Sequence, residues 1–162
     1  MVIRGSLAFM CVAACAIAAE PVPLQVTEVA PTRMEVRGRA LFADFGKAAY
    51  GNLQVAFAAD PPAGELTVRL GEKITEQGVV DRKPPGSVNY REVKLAVKPG
   101  QRAYRLEIPS KPFHKGKASV KPPPSIGEVT VFRYVEIEGV APAKDALSLR
   151  QLFVHAPFDD EA

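Results

Sequence analysis

Beyond the first twenty residues no segment of this chain keeps a helical period. It is a succession of short runs that alternate apolar and polar residues, most of them closed by proline or glycine. In Asn52–Ala58 the alternate positions are Leu53, Val55 and Phe57. In Glu65–Leu70 they are Leu66, Val68 and Leu70, with Thr67 and Arg69 pointing the other way. Tyr90–Val97 carries Val93, Leu95 and Val97, and Arg102–Ile108 carries Tyr104, Leu106 and Ile108. Successive strand residues point to opposite faces, so each set is the inward face of a half-buried strand. Asp60-Pro-Pro-Ala-Gly64 and Lys98-Pro-Gly-Gln101 have turn chemistry: proline presets φ and glycine permits a positive one. These turns predict two hairpins, one joining the first pair of runs and one the second. Strand signals recurring about every 8–12 residues predict an all-β chain, a jelly-roll-like β-sandwich of short antiparallel strands. An up-and-down barrel is the alternative. The long connection at 109–124 favours a sandwich.

The longest strand signal is Gly127-Glu-Val-Thr-Val-Phe-Arg-Tyr-Val-Glu-Ile-Glu-Gly139. Parity puts Val129, Val131, Val135 and Ile137 on one face, and Thr130, Phe132, Tyr134, Glu136 and Glu138 on the other. Arg133 interrupts the apolar face, so it must lie at an edge, pair with a carboxylate or line a groove. Leu147–His155 is a further apolar strand. Upstream, Met34–Phe45 is the first firm strand region, Glu20–Arg33 is a tether or edge strand, and Val79–Val80 is a short strand.

Residues 1–19 have the build of a secretory signal peptide. Arg4 is the positive start, Leu7–Ala19 is apolar and alanine-rich, and small residues precede Ala18 and Ala19. The apolar stretch falls short of the roughly 20 residues that span a bilayer, so no transmembrane span is expected. Both cysteines, Cys11 and Cys15, lie inside it, and cleavage would leave neither disulfide nor thiol chemistry. Val12-Ala-Ala-Cys15 also resembles a lipoprotein box, which makes a lipid anchor at Cys15 the alternative to plain secretion or periplasmic release. The expected organisation is 1–19 leader, 20–39 tether or edge strand, 40–155 sandwich and 156–162 linker.

The net charge of +3 is spread by interleaved acids and bases, and no basic stripe alternates with aromatics, so nucleic acid is not an expected partner. His114 and His155 stand apart, and no calcium-loop spacing occurs, so neither metal nor cofactor is expected. No serine has a nucleophile-elbow context. Asp159-Asp160-Glu161 lies in the terminal segment and reads as solvated linker. Glu136 and Glu138 would lie about 6–7 Å apart at a rise near 3.3 Å per residue, a surface charge cluster beside Arg133. The four lysines within 109–124 read as a solvated connection. Tryptophan, the commonest sugar-stacking residue, is absent. Two similar pairs, Tyr90-Arg91 and Arg133-Tyr134, would make a polar aromatic ligand-binding patch if they were neighbours on one sheet.

Phe42-Ala-Asp-Phe-Gly-Lys-Ala-Ala-Tyr-Gly-Asn-Leu53, Val68-Arg-Leu-Gly-Glu-Lys73 and Asp81-Arg-Lys-Pro-Pro-Gly-Ser-Val-Asn-Tyr-Arg-Glu92 resemble the N-terminal β-domain of bacterial α-L-rhamnosidases of glycoside hydrolase family 78. Gly127–Gly139 and Arg150-Gln-Leu-Phe-Val-His-Ala-Pro-Phe-Asp-Asp-Glu161 extend the likeness over roughly Ala40 to Ala162. In that family the segment resembling Pro157–Glu161 leads into a large (α/α)6 barrel that carries the acid and base of an inverting hydrolase. No position here matches a family catalytic residue. The resemblance therefore implies a non-catalytic accessory sandwich, a truncated fragment whose partner is a helical-barrel catalytic domain. A stand-alone secreted carbohydrate-binding module is the alternative.

Overall fold

The structure, a computed structural model, describes residues 24–110, 124–139 and 146–155. The expected signal peptide, Cys15, His114 with its neighbouring lysines, and the terminal acidic run lie outside these residues. Eight antiparallel strands form the described fold: β1 Gln25–Val29, β2 Arg33–Arg37, β3 Ala40–Phe57, β4 Gly64–Gly71, β5 Tyr90–Val97, β6 Ala103–Arg105, β7 Thr130–Glu138 and β8 Leu147–His155. The hydrogen-bonded order is β1-β8-β3-β7-β4-β5, with β2 and β6 also on β3.

β3 is the exception to the expectation of short strands, at 18 residues. Its first part, Ala40–Asp44, pairs with β2 and β7, and its last part, Gly51–Phe57, pairs with β8 and β6. One strand thus serves two layers, and a bulge between Asp44 and Ala49 turns it from one to the other. Five steps on β3 there oppose two on β7. Asp44 fixes the bulge by accepting the Gly46 N–H at 2.7 Å. The layers close on one core. Leu41, Ala43, Leu66, Val68, Leu70, Val93, Val135 and Ile137 from one side meet Leu53, Val55, Phe57, Tyr104, Leu147 and Leu149 from the other. All the inward sets expected of the four alternating runs are buried.

Pairing departs from expectation in two places. Asn52–Ala58 and Glu65–Leu70 do not form a hairpin: β4 pairs with β5 and β7 instead. Tyr90–Val97 and Arg102–Ile108 do not either, because β6 pairs with β3. In both cases the proline-containing turn carries the chain from one layer to the other, so the runs pack face to face rather than edge to edge. Met34–Phe45 is itself the hairpin β2–β3, reversed at Gly38 and Arg39. Gly38 has φ +59° at the first loop position, where a two-residue turn of the II′ kind requires it. Val80 makes only an isolated bridge to Ile74.

The faces of β7 also differ from simple alternation. Val135 and Ile137 face the core, but so does the fully buried Phe132, edge-on to Phe45 at 5.8 Å, while Val131 is only partly buried. Parity switches across Arg133 and Tyr134, opposite the β3 bulge. Glu136 is 3% exposed, which corrects its expected place in a surface cluster.

Two buried amides stitch the second layer. Asn52 donates to the Leu106 and Glu128 carbonyls at 3.0 and 2.9 Å. Gln151 donates to the Phe132 carbonyl at 3.0 Å. Each ties its strand to backbone carbonyls of other segments.

Candidate functional site

The chemistry of the described residues gathers on the outer face of the β3–β7–β4–β5 layer. A small antiparallel excursion, residues 73–81, folds over that face. Thr75 and Val79 hydrogen-bond through backbone at 2.8 Å, and Asp81 N–H donates to the Lys73 carbonyl at 2.9 Å. Val80 packs onto Gly71, where a Cβ would lie 2.6 Å from the valine Cγ1, so only glycine allows this approach.

Glu136 lies beneath the excursion and accepts from three donors. Val80 N–H reaches Oε2 at 3.0 Å; Arg82 and Arg69 reach Oε1 at 2.7 and 3.2 Å. Arg69 also meets Glu92 at 2.9 Å and Glu138 at 3.0 Å. Burial works against its charge, yet Glu138, Glu92 and Glu136 outweigh burial and hold its pKa above the ordinary value. Arg69 in turn holds the Glu92 carboxyl below the usual range. Glu136 and Glu138 are thus bound to one guanidinium rather than set apart as an acid and a base.

A cleft of about 170 Å3 opens beside this network. Arg37 and Arg39 of the β2–β3 turn form one wall, Val79 and Arg82 another, and Glu136, Glu138, Ala40 and Phe42 the remainder. Arg37 is held in place: it ion-pairs with Glu35, donates to the Gly78 carbonyl and lies 3.6 Å from the Phe42 ring centre. Phe42 stacks on Tyr134 at 5.9 Å on the same face. A wider hollow of about 370 Å3 lies against the second layer, with Glu28, Gln54 and Arg105 among its walls. Among the described residues no three His, Cys, Asp or Glu side chains gather as a metal site, and no helix is long and apolar enough to cross a membrane.

The four residues expected to form a ligand patch are partly brought together. Tyr134 and Tyr90 pair with Gly71 from opposite sides, so they share a face with Val80 between them. Arg133 makes a two-pronged bond to Asp44 at 2.8 and 3.0 Å and lies 4.8 Å from the Tyr134 ring centre. The Asp44 carboxyl is held below its usual range, mainly by that bond. Of the three places the sequence left open for Arg133, an edge, a carboxylate partner or a groove, this is the carboxylate partner. Burial, with Glu92 beside it, raises the Tyr90 phenol. Arg91 takes the strand parity of Val93 and Leu95 and so leaves that face. Its Nε is buried without a hydrogen bond, and burial lowers its pKa. None of the four lines the arginine cleft. The cleft arginines escaped sequence reasoning, because arginines on a turn and a loop look solvated; Gly38 between Arg37 and Arg39 was the available signal. His155 hydrogen-bonds Thr27 at 3.1 Å and stacks on Phe153 at 4.9 Å.

Fold and site together define an all-β, concanavalin-like sandwich with a covered charge network on one outer face. Residues 34–155 match the family of the bacterial alpha-L-rhamnosidase concanavalin-like domain, and the chain belongs to that family. The resemblance read from the sequence is thereby established. Among solved structures the chain is similar to the rhamnosidase from Klebsiella oxytoca with rhamnose bound, at 16% identity and a TM-score of 0.39. That alignment covers 83% of this chain and 29% of the other, so the chain spans less than a third of that protein's length. No curated protein matches it.

Proposed function

We propose that this chain is the non-catalytic accessory β-sandwich of a secreted α-L-rhamnosidase-like protein, acting beside a helical-barrel catalytic domain. The observation that carries the reading is the family match over residues 34–155. The described carboxylates of the outer face support it. Glu136, Glu138, Glu92 and Asp44 are all tied to arginine. Asp44 and Glu92 are pushed towards the ionised form, whereas a glycosidase needs one carboxyl kept protonated to act as acid. The sandwich braces its partner and holds its geometry; hydrolysis of terminal α-L-rhamnosides belongs to the partner. Pro157–Glu161 is the junction towards it.

Reading the DNA after the Ala162 codon in all three frames tests the pairing: sequence for a helical barrel supports it, and no such sequence sinks it. Residues 1–19 direct export. The exported protein should begin at Ala19 or Glu20, and a lipidated start at Cys15 would overturn plain cleavage.

A further inference from the structure

β5 is the outermost strand of its layer. Among the described residues β4 pairs along one side of it and no strand pairs along the other. It is also the longest such edge: eight residues without bulge or proline, against five in β1, five in β2 and three in β6. An open strand edge is a template for another strand.

The ladder decides which backbone groups face outward. Glu72 N–H donates to the Asn89 carbonyl at 3.3 Å, one step beyond the Gly71–Tyr90 pair. Hydrogen-bonded and non-bonded pairs alternate in an antiparallel ladder. Arg91, Val93 and Leu95 therefore bond to β4, while Tyr90, Glu92, Lys94 and Ala96 turn their N–H and C=O groups to the open edge. No hydrogen bond among the described residues meets those groups. The Glu92 and Lys94 side chains are 42% and 55% exposed, so each can serve a partner beyond its contacts to Arg69 and Glu65.

An extended partner must offer backbone at every second residue, with a base opposite Glu92 and an acid opposite Lys94. β5 itself, run antiparallel, is such a strand. About a twofold axis at Val93, Glu92 of each copy stands opposite Lys94 of the other, and Tyr90 opposite Ala96. All of these are outward hydrogen-bonding positions. Moving the axis to Glu92 or to Lys94 sets like charges opposite one another, which destabilises the pairing. A slip by one residue would turn the core face outward. The other edges lack this self-complementarity: a twofold at the centre of β2 sets Glu35 on Glu35, and one at the centre of β1 sets Val26 on Glu28.

We propose that the open edge of β5 pairs with β5 of a second copy, antiparallel about Val93, joining two sandwiches through one continuous sheet. The inference stands on the edge and its charges and does not rest on the accessory role.

Sedimentation equilibrium of the exported chain tests it, at up to about 1 mM because an edge contact is a small interface. The mass should rise towards that of a dimer and no further. The Glu92, Lys94 and Ala96 amides should gain protection from hydrogen exchange as it does. Lys94→Glu sets acid against acid, and Glu92→Lys sets base against base. Each alone should weaken self-association roughly tenfold, in chains shown by circular dichroism to be folded. An equimolar mixture of the two variants should pair again, because both contacts are then opposite in charge. The exchange pattern needs no variant, so it decides even if a substitution unfolds the chain. A monomer at every concentration, growth beyond a dimer, or no gain of protection at those amides would overturn the proposal. So would self-association that neither substitution weakens, or a mixture that pairs no better than its components.

Discussion

Replacing Glu136 with Gln keeps the shape of the side chain and removes its charge. The carboxylate accepts three hydrogen bonds, two from guanidinium groups and one from a buried backbone N–H. A hydrogen bond to a charged group contributes about 1.5–3 kcal/mol net, and a buried donor left unmet costs about 1–3 kcal/mol. The amide offers one acceptor oxygen where three donors converge, so its NH2 must confront Val80 or an arginine. Two features soften the loss. Arg69 retains Glu92 and Glu138, and the Arg82 side chain, 41% exposed, can turn to water. The expected destabilisation is therefore about 2–3 kcal/mol, below the roughly 3–5 kcal/mol for breaking a buried pair with no alternative partners. Urea unfolding followed by far-ultraviolet circular dichroism reads it as a lower midpoint at unchanged slope. The matched control is Glu138→Gln, whose side chain is 40% exposed and whose loss should stay below about 1 kcal/mol. If Glu136→Gln unfolds within about 0.5 kcal/mol of the parent, or at no lower urea than Glu138→Gln, the reasoning that Glu136 organises this face is wrong.

Gly71→Ala places a Cβ 2.6 Å from the Val80 Cγ1 and should cost about 1–3 kcal/mol; Val80→Ala in the same chain should recover part of it, as a double-mutant cycle will show. Phe132→Ala empties the core beside Phe45 and should cost about 3–5 kcal/mol by the same urea titration. The Asp44 carboxyl is lowered in the folded chain, so its contribution is complete above the unfolded value near 4 and disappears as pH falls through the lower folded value. Thermal melts across that acid range should therefore steepen in the parent and flatten in Asp44→Asn.

Period-two alternation was enough to name Leu53, Val55, Phe57, Leu66, Val68 and Leu70 as core, because strand side chains choose a face by local geometry alone. Partners were not legible. Residues 60–64 have good turn chemistry, yet a turn does not say whether the next strand lies alongside or across the core. The parity switch in β7 was hidden for a related reason. It answers a bulge in β3, and the Asp44–Arg133 pair that marks the place is separated by 89 positions. Glu136 looked solvated because the cover over it, Val80, comes from a loop 56 positions away. Strands announce their faces; long-range contacts decide what those faces meet.

The accessory role predicts that the purified chain releases no rhamnose from an aryl α-L-rhamnoside. The measurement is a continuous aglycone-release assay on protein shown by circular dichroism to be folded. The account predicts a rate indistinguishable from buffer at every pH at which the fold survives. Turnover above buffer that is lost with Glu136→Gln or Glu138→Gln in a folded chain would contradict it, and would place catalysis on the sandwich itself.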